Sequence, residues 1–218
     1  MNSKVRNTEI IEATENYIKA EFASEGSGHD WWHIYRVRKM AMHLNETEGG
    51  NIFLIEMAAL LHDLDDWKIS DQKSKSRAKE WMTSLNLPEE QIKQILGIIE
   101  EVSFKGAGVA TPVSSLEAKI VQDADRLDAI GAVGVARTFA YGGNKNRLLY
   151  DPNVKTVAHK SFEAYKNNTA PTINHFYEKL LLLKDRMNTN TAKRIADKRH
   201  EFMEEFLDRF FNEWEGKI

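Results

Sequence analysis

Two stretches of this chain place acids and imidazoles where little else is polar. His62 and Asp63 end the run Ile52-Phe-Leu-Ile-Glu-Met-Ala-Ala-Leu-Leu61, which is apolar apart from Glu56. Asp123, Asp125 and Asp128 interrupt a second apolar stretch. His33 adds an imidazole between Trp32 and Ile34. An ionised aspartate is rarely buried without a partner, so acids in such settings call for one. Two histidines and two carboxylates from three or four helices would hold a single cation with coordination positions left open. Such an ion polarises a phosphoryl oxygen and lowers the pKa of bound water. The residues alone leave open which of the three aspartates completes the set.

Those side chains need a scaffold, and the pattern around them is helical. Apolar residues recur at helical rather than alternating spacing, and only four prolines occur. The spacing predicts helices over 4–24, 30–46, 52–63 and 74–85. Leu87-Pro88-Glu-Glu opens another that runs to about Val102. Ser114 or Ser115 can cap the next helix, which leads into the aspartate cluster. Small apolar residues fill 127–140, Tyr141-Gly-Gly-Asn-Lys-Asn146 reads as a polar loop, and further helices are expected at 154–167, 172–187 and 190–215. The 141–153 loop is the best candidate boundary, with both sides expected to pack together.

Bulk composition narrows the function classes. The 218 residues suit one domain and carry a net charge of −3, so nothing basic suggests a nucleic-acid binder. The absence of cysteine excludes disulfides, thiolate zinc sites and thiol nucleophiles. No apolar run is long enough to span a bilayer and the first 25 residues lack a signal-peptide core, so the cytoplasm is the expected compartment.

The order His33, His62-Asp63, Asp125 resembles the HD-domain metal phosphohydrolases. Its settings strengthen the match: His29-Asp-Trp-Trp-His-Ile-Tyr-Arg-Val-Arg38, Ala58-Ala-Leu-Leu-His-Asp-Leu-Asp-Asp-Trp-Lys68 and Val121-Gln-Asp-Ala-Asp-Arg-Leu-Asp-Ala-Ile-Gly-Ala132. The tail segments His175-Phe-Tyr-Glu-Lys179 and Arg199-His-Glu-Phe-Met203 look like the stand-alone bacterial members that act on nucleoside triphosphates. The resemblance implies an all-α HD-domain bundle with additional C-terminal helices. It is expected as one domain over 1–218, with a metal core at about 29–132 and a helical part at about 153–216. It also implies one divalent metal, Mn2+ or Mg2+ before Ni2+, Fe2+ or Zn2+, held by His33, His62, Asp63 and Asp125. Asp123 and Asp128 stay as alternative or supporting acids, and His29 as a weaker candidate.

Related hydrolases place an acid near the metal-bound water at the position of Asp66, so Asp66 is the expected water-orienting group or general base, with Asp65 as fallback. Lys68 joins it as catalytic. Arg36, Arg126 and Lys105 are expected on substrate phosphates, because phosphoryl charge needs local cations in an acidic chain. Arg147, Lys179 and Lys184 are more distant candidates, and Trp31, Trp32 and Trp67 can wall a base pocket. The expected substrate is a nucleotide, cut to monophosphate and pyrophosphate by a monomer or homodimer. A phosphodiesterase or nucleotidase on the same site, or a non-catalytic nucleotide sensor, are the rivals. A two-iron oxygenase is disfavoured, because no histidine lies between His62 and Asp125.

Overall fold

The computed structural model describes residues 3–23, 30–65, 76–102, 111–157 and 169–218. These form α1 (Ser3–Glu21), α2 (Trp31–Glu48), α3 (Ile52–Leu61), α4 (Arg77–Ser84), α5 (Glu89–Val102), α6 (Leu116–Asp128), α7 (Gly131–Asn144), α8 (Asn174–Glu178) and α9 (Asn190–Trp214). Two 3-10 turns, Leu180–Leu182 and Lys184–Arg186, join α8 to α9. No strand occurs among the described residues, so the fold is all-α. None of their helices is long and apolar enough to cross a membrane.

Packing divides the chain into two compact units, and the division falls inside α6 between Asp125 and Arg126. The candidate boundary at 141–153 lies instead within the second unit, which holds the described residues on both of its sides. The reason is local: α7, which precedes that stretch, packs on α9, which follows it.

In the first unit α3 is the hub, touching α1, α2 and α5. Phe53, Leu54, Ile55, Met57, Ala58, Ala59, Leu60 and Leu61 are all buried, as expected of a helix apolar all the way round. Around it α2 turns in Ile34, Val37, Ala41 and Leu44, and α5 turns in Ile92, Ile95, Ile98 and Val102. The helix ends carry their own stops. Gly49, at φ 80°, closes α2 in the left-handed region and donates its N–H to Asn45 O at 3.0 Å. The Asn51 side chain accepts from Phe53 N and Leu54 N to open α3. Of the two candidate caps for α6, Ser115 accepts from Ala118 N at 3.0 Å.

Polar ties set the register of these apolar surfaces. Arg38 of α2 bonds Glu15 of α1 at 2.6 Å and Glu56 of α3 at 2.9 Å. Burial alone would lower the Arg38 pKa, but Glu56 and Glu15 outweigh it and hold it above its ordinary value. Burial alone would raise the Glu15 carboxyl. Its bonds to Lys19 and Arg38 bring it below the ordinary carboxylate value instead.

The second unit has an aromatic centre. Phe176 and Phe206 stack with centroids 5.7 Å apart, and Phe139 of α7 meets them at 6.1 and 5.9 Å. Two expectations are corrected here. Tyr141–Asn144 is the last turn of α7 rather than loop, because Gly142 is buried directly against Thr172 and leaves no room for a Cβ. Residues 172–187 form α8 and the 3-10 turns rather than one helix. Leu180 and Leu183 are both buried at a spacing of three, the 3-10 repeat. Of the helix expected at 154–167, Val154–Val157 are not helical, and 158–167 lie outside the described residues.

Glu15→Gln tests the ties. A lowered folded pKa means stabilisation that is complete above the unfolded carboxyl value and lost as pH falls through the folded one. The variant is therefore expected to be less stable by roughly 0.5–1 kcal/mol near neutral pH, after allowing for solvent screening. The gap to the parent should close in acid, where Glu15 is protonated in both states. Urea melts at about pH 7 and about pH 3 measure both quantities.

Candidate metal centre

His62 is the C-cap of α3, at φ −61° and ψ −32°. The last turn of a helix leaves carbonyls without intrahelical donors. His62 fills one of them, its Nδ1–H donating to Ala59 O at 2.9 Å. A carbonyl only accepts, so the proton sits on Nδ1 and the Nε2 lone pair is left for another partner. His33 arrives from the first turn of α2. Asp30 caps that helix by accepting from His33 N at 2.9 Å, which fixes the backbone from which the imidazole extends.

The two rings meet edge to face at 5.3 Å between centroids, with their Nε2 atoms 3.3 Å apart. Asp63 straddles them. Its Oδ2 is 3.2 Å from His33 Nε2 and its Oδ1 is 3.4 Å from His62 Nε2. Asp125 of α6 brings Oδ1 to 3.5 Å from His33 Nε2 and 3.9 Å from His62 Nε2. His33, His62 and Asp63 form the tight group, with ligand atoms within 4.8 Å of one another, and Asp125 lies beside it.

These separations suit a metal. Bonds of about 2.1 Å at octahedral or tetrahedral angles put neighbouring ligand atoms roughly 3.0–3.4 Å apart. Donor chemistry agrees, since two imidazoles and two carboxylates suit a first-row divalent ion. His33, His62 and Asp63 are no more than 7% exposed, whereas the Asp125 side chain is 28% exposed. Asp125 is thus the most exposed of the four.

The other aspartates of α6 are placed differently. Asp123 is fully buried and is not in the group. Two residues along a helix is about 200° of rotation, so Asp123 and Asp125 leave opposite faces. Asp128 pairs with Arg137 at 2.6 Å within the second unit.

Arg36 stands one turn after His33 on α2 and is half-buried. Arg126 is 4% exposed and donates to the Arg186 carbonyl, a contact internal to the second unit. Asp66, Lys68, Lys105, His29 and Trp67 lie outside the described residues. Trp31 is buried beneath Lys19, while Trp32 is exposed and meets the Tyr35 ring edge-on. Arg147, which sits over the Tyr141 ring, belongs to the second unit, as do Lys179 and Lys184.

Sequence reading passed over two supporting groups. Asp30 was available from its place three residues before His33, the usual cap spacing. The Ala59 carbonyl carries no residue signal at all. Asp65, the fallback acid expected from the sequence, bonds the first turn of α4 with its carboxylate, a partner distant in sequence.

The comparisons with known proteins agree with this geometry. The family model described as HD domain matches residues 31–130. The uncharacterised Bacillus subtilis protein YpgQ is 39% identical over 199 residues, which span 90% of this chain and 89% of that protein. A crystal structure of YpgQ in complex with ADP aligns with a TM-score of 0.74 at 36% identity, over 93% of this chain and 97% of that one. A Lactobacillus plantarum protein aligns with a TM-score of 0.87 at 37% identity, covering 94% and 97% of the two chains. A Bacillus thuringiensis HD-superfamily hydrolase is 47% identical at a TM-score of 0.74, covering 96% and 98%.

Asp30→Ala is expected to weaken divalent-metal affinity about tenfold by loosening the first turn under His33, and Asp30→Ser, which keeps a capping oxygen, to restore most of it. Isothermal titration of the metal-stripped variants with Mn2+ makes the comparison. Equal affinities in all three proteins would remove Asp30 from the site.

Proposed function

We propose, for a chain that belongs to the HD-domain family of metal-dependent phosphohydrolases, that the bond it breaks is a phosphoanhydride of a (deoxy)nucleoside triphosphate, giving monophosphate and pyrophosphate. The observation that carries the reading is the convergence of His33, His62, Asp63 and Asp125, the first three buried and the fourth partly exposed. HD domains bind a divalent metal, and these four residues are the ones that would hold it. The bound ion would supply Lewis acidity toward a phosphate oxygen and a water of lowered pKa. Its proposed identity is Mn2+, with Mg2+ next, in keeping with the mixed imidazole and carboxylate set.

The chain's own groups have separate duties in this reading. His62 keeps its proton on Nδ1 through the Ala59 carbonyl and so presents Nε2 as a fixed donor. Asp63 and Asp125 bring carboxylates beside the two rings, which favours a cation between them. Asp66 orients or deprotonates the attacking water, and Lys68 offsets charge gathering on the phosphoryl oxygens. Arg36, and Lys105 after it, hold the remaining phosphates. Arg126 is the weaker of the proposed phosphate contacts, because its guanidinium is buried against a main-chain carbonyl. The nucleotide part of the proposal draws support from YpgQ, whose structure was solved in complex with ADP.

The decisive assay incubates the protein with Mn2+ and a panel of ribo- and deoxynucleoside triphosphates, detecting phosphate and pyrophosphate separately. Pyrophosphate is the expected product, and Asp63→Ala should abolish it together with metal binding. Phosphate without pyrophosphate would identify a nucleotidase instead, and neither product from a metal-loaded protein would sink the triphosphate reading. In the active enzyme Asp66→Asn is expected to lower kcat on the order of 10²- to 10⁴-fold with the metal retained. Full activity in that variant would remove Asp66 from its role.

A further inference from the structure

Asp65 follows the ligand Asp63 by two positions, and its carboxylate reaches across to the next helix. Oδ1 accepts from Arg77 N at 2.9 Å, while Oδ2 accepts from Ala78 N at 3.2 Å and from the Ser76 hydroxyl at 2.8 Å. Ser76 Oγ in turn accepts from Lys79 N at 3.2 Å. The first N–H groups of a helix have no intrahelical carbonyl. In α4 the first three, of Arg77, Ala78 and Lys79, all find side-chain oxygens, and two of those bonds go to a residue eleven positions before the cap. A negative charge at this end also meets the positive pole of the helix dipole.

α4 does not need Asp65 to find its place. Trp81 stacks on Tyr17 of α1 with centroids 4.1 Å apart and donates Nε1–H to Thr14 Oγ1 at 3.0 Å. Arg77 pairs with Glu21, also of α1. At the other side, Leu64 is fully buried and donates its N–H to Leu61 O at 3.1 Å, so the turn leaving the His62-Asp63 pair is itself anchored. What Asp65 adds is a direct tie between that metal-holding turn and the start of α4. The tie fixes the chain at both ends of 66–75, the stretch that carries the proposed catalytic residues Asp66 and Lys68.

We propose that Asp65 is a positioning residue for the reaction, acting through Ser76, Arg77 and Ala78 to hold the ends of 66–75 in register with the metal ligands. The kinetic part of this proposal rests on the hydrolase reading above; the structural part does not. A residue that merely caps α4 would change stability alone. A positioning residue must change turnover while metal and substrate still bind.

The test uses Asp65→Ala, Asp65→Asn and, as a control, Ser76→Ala, each measured for Mn2+ affinity, tryptic cleavage and steady-state kinetics. Asp65→Ala is expected to keep its metal affinity, to be cleaved after Lys68, Lys73 and Lys75 on the order of tenfold faster, and to lose on the order of ten- to a hundredfold in kcat with KM little changed. Asp65→Asn keeps one acceptor oxygen, and its amide can donate to Ser76 Oγ, so it should recover most of both losses. Ser76→Ala removes the Lys79 cap but leaves both main-chain bonds to Asp65, and its kcat should stay near the parent's. Unchanged cleavage in Asp65→Ala overturns the tie. Faster cleavage with parental kcat, or equal loss of kcat in Ser76→Ala, overturns the positioning role and leaves a simple cap. Should the parent protein release no pyrophosphate from any triphosphate, faster cleavage in Asp65→Ala would still support the tie, and only the nucleotide reading would fall.

Discussion

Two imidazoles and an acid sealed among apolar helices form an arrangement that water would otherwise oppose. Burying an ionised carboxylate without compensation costs several kcal/mol, and removing a neighbour makes the cost worse rather than better. The first unit is organised around this constraint. α3 is apolar apart from Glu56, which Arg38 pairs, so it can pass through the centre of the unit at little polar cost along its length. The metal-competent groups stand at its end, where His62 and Asp63 meet His33 and Asp125. The helix that makes the core possible is therefore the one that delivers the chemistry.

A helix with Glu56 as its one polar residue has little else in its own surface to stop it sliding, and the distances within the cluster need a register. Polar bonds at the far end supply it. Asn51 N at the start of α3 donates to Glu117 Oε1 of α6 at 2.9 Å. From that bond, α3 runs about 16 Å to His62 and α6 about 12 Å to Asp125, at 1.5 Å per residue. Both helices leave the same lock and arrive at the same cluster of His33, His62, Asp63 and Asp125. Gln122, fully buried on α6, donates to Glu101 O at 2.6 Å and thereby holds α6 to the end of α5. The Arg38 bonds to Glu15 and Glu56 do the same for α1, α2 and α3.

This division between apolar body and polar register explains what could be read from the residues. The α3 helix, the His62-Asp63 pair and the face of α2 that carries His33 were legible because composition and spacing are local properties. The choice among Asp123, Asp125 and Asp128 was not settled by spacing, since each is acidic in an apolar stretch. It depends on which face of α6 turns toward His33, and a bond 66 residues long in sequence helps set that. Gly142-Gly143 read as loop because glycine frees the backbone, whereas Gly142 serves close approach to Thr172. The leucines of 180–183 read as helix because the difference between a repeat of three and one of 3.6 is small over four residues.

Charge placement in the second unit bears on how a phosphate can be held. Arg126 and Arg199 donate to the carbonyls of Arg186 and Leu127, and Arg137 pairs with Asp128. Burial lowers the Arg199 pKa, with Asp128 opposing that shift. Cations near the motif in sequence are thus engaged in holding main chain and acid, as a chain of net charge −3 can require of its arginines. Proximity in sequence is then a poor guide to which cation meets a ligand, because the guanidinium fork suits a carbonyl edge as well as a phosphate. On α2, Arg36 is half-buried, one turn beyond His33, and in the same unit as His62, Asp63 and Asp125. Under the proposed reading, a phosphate drawn to a bound cation would pass the partly exposed Asp125, and a cation beside that carboxylate would offset the repulsion. That is the ground for proposing Arg36 ahead of Arg126 as a phosphate contact, since Arg126 is buried against the Arg186 carbonyl.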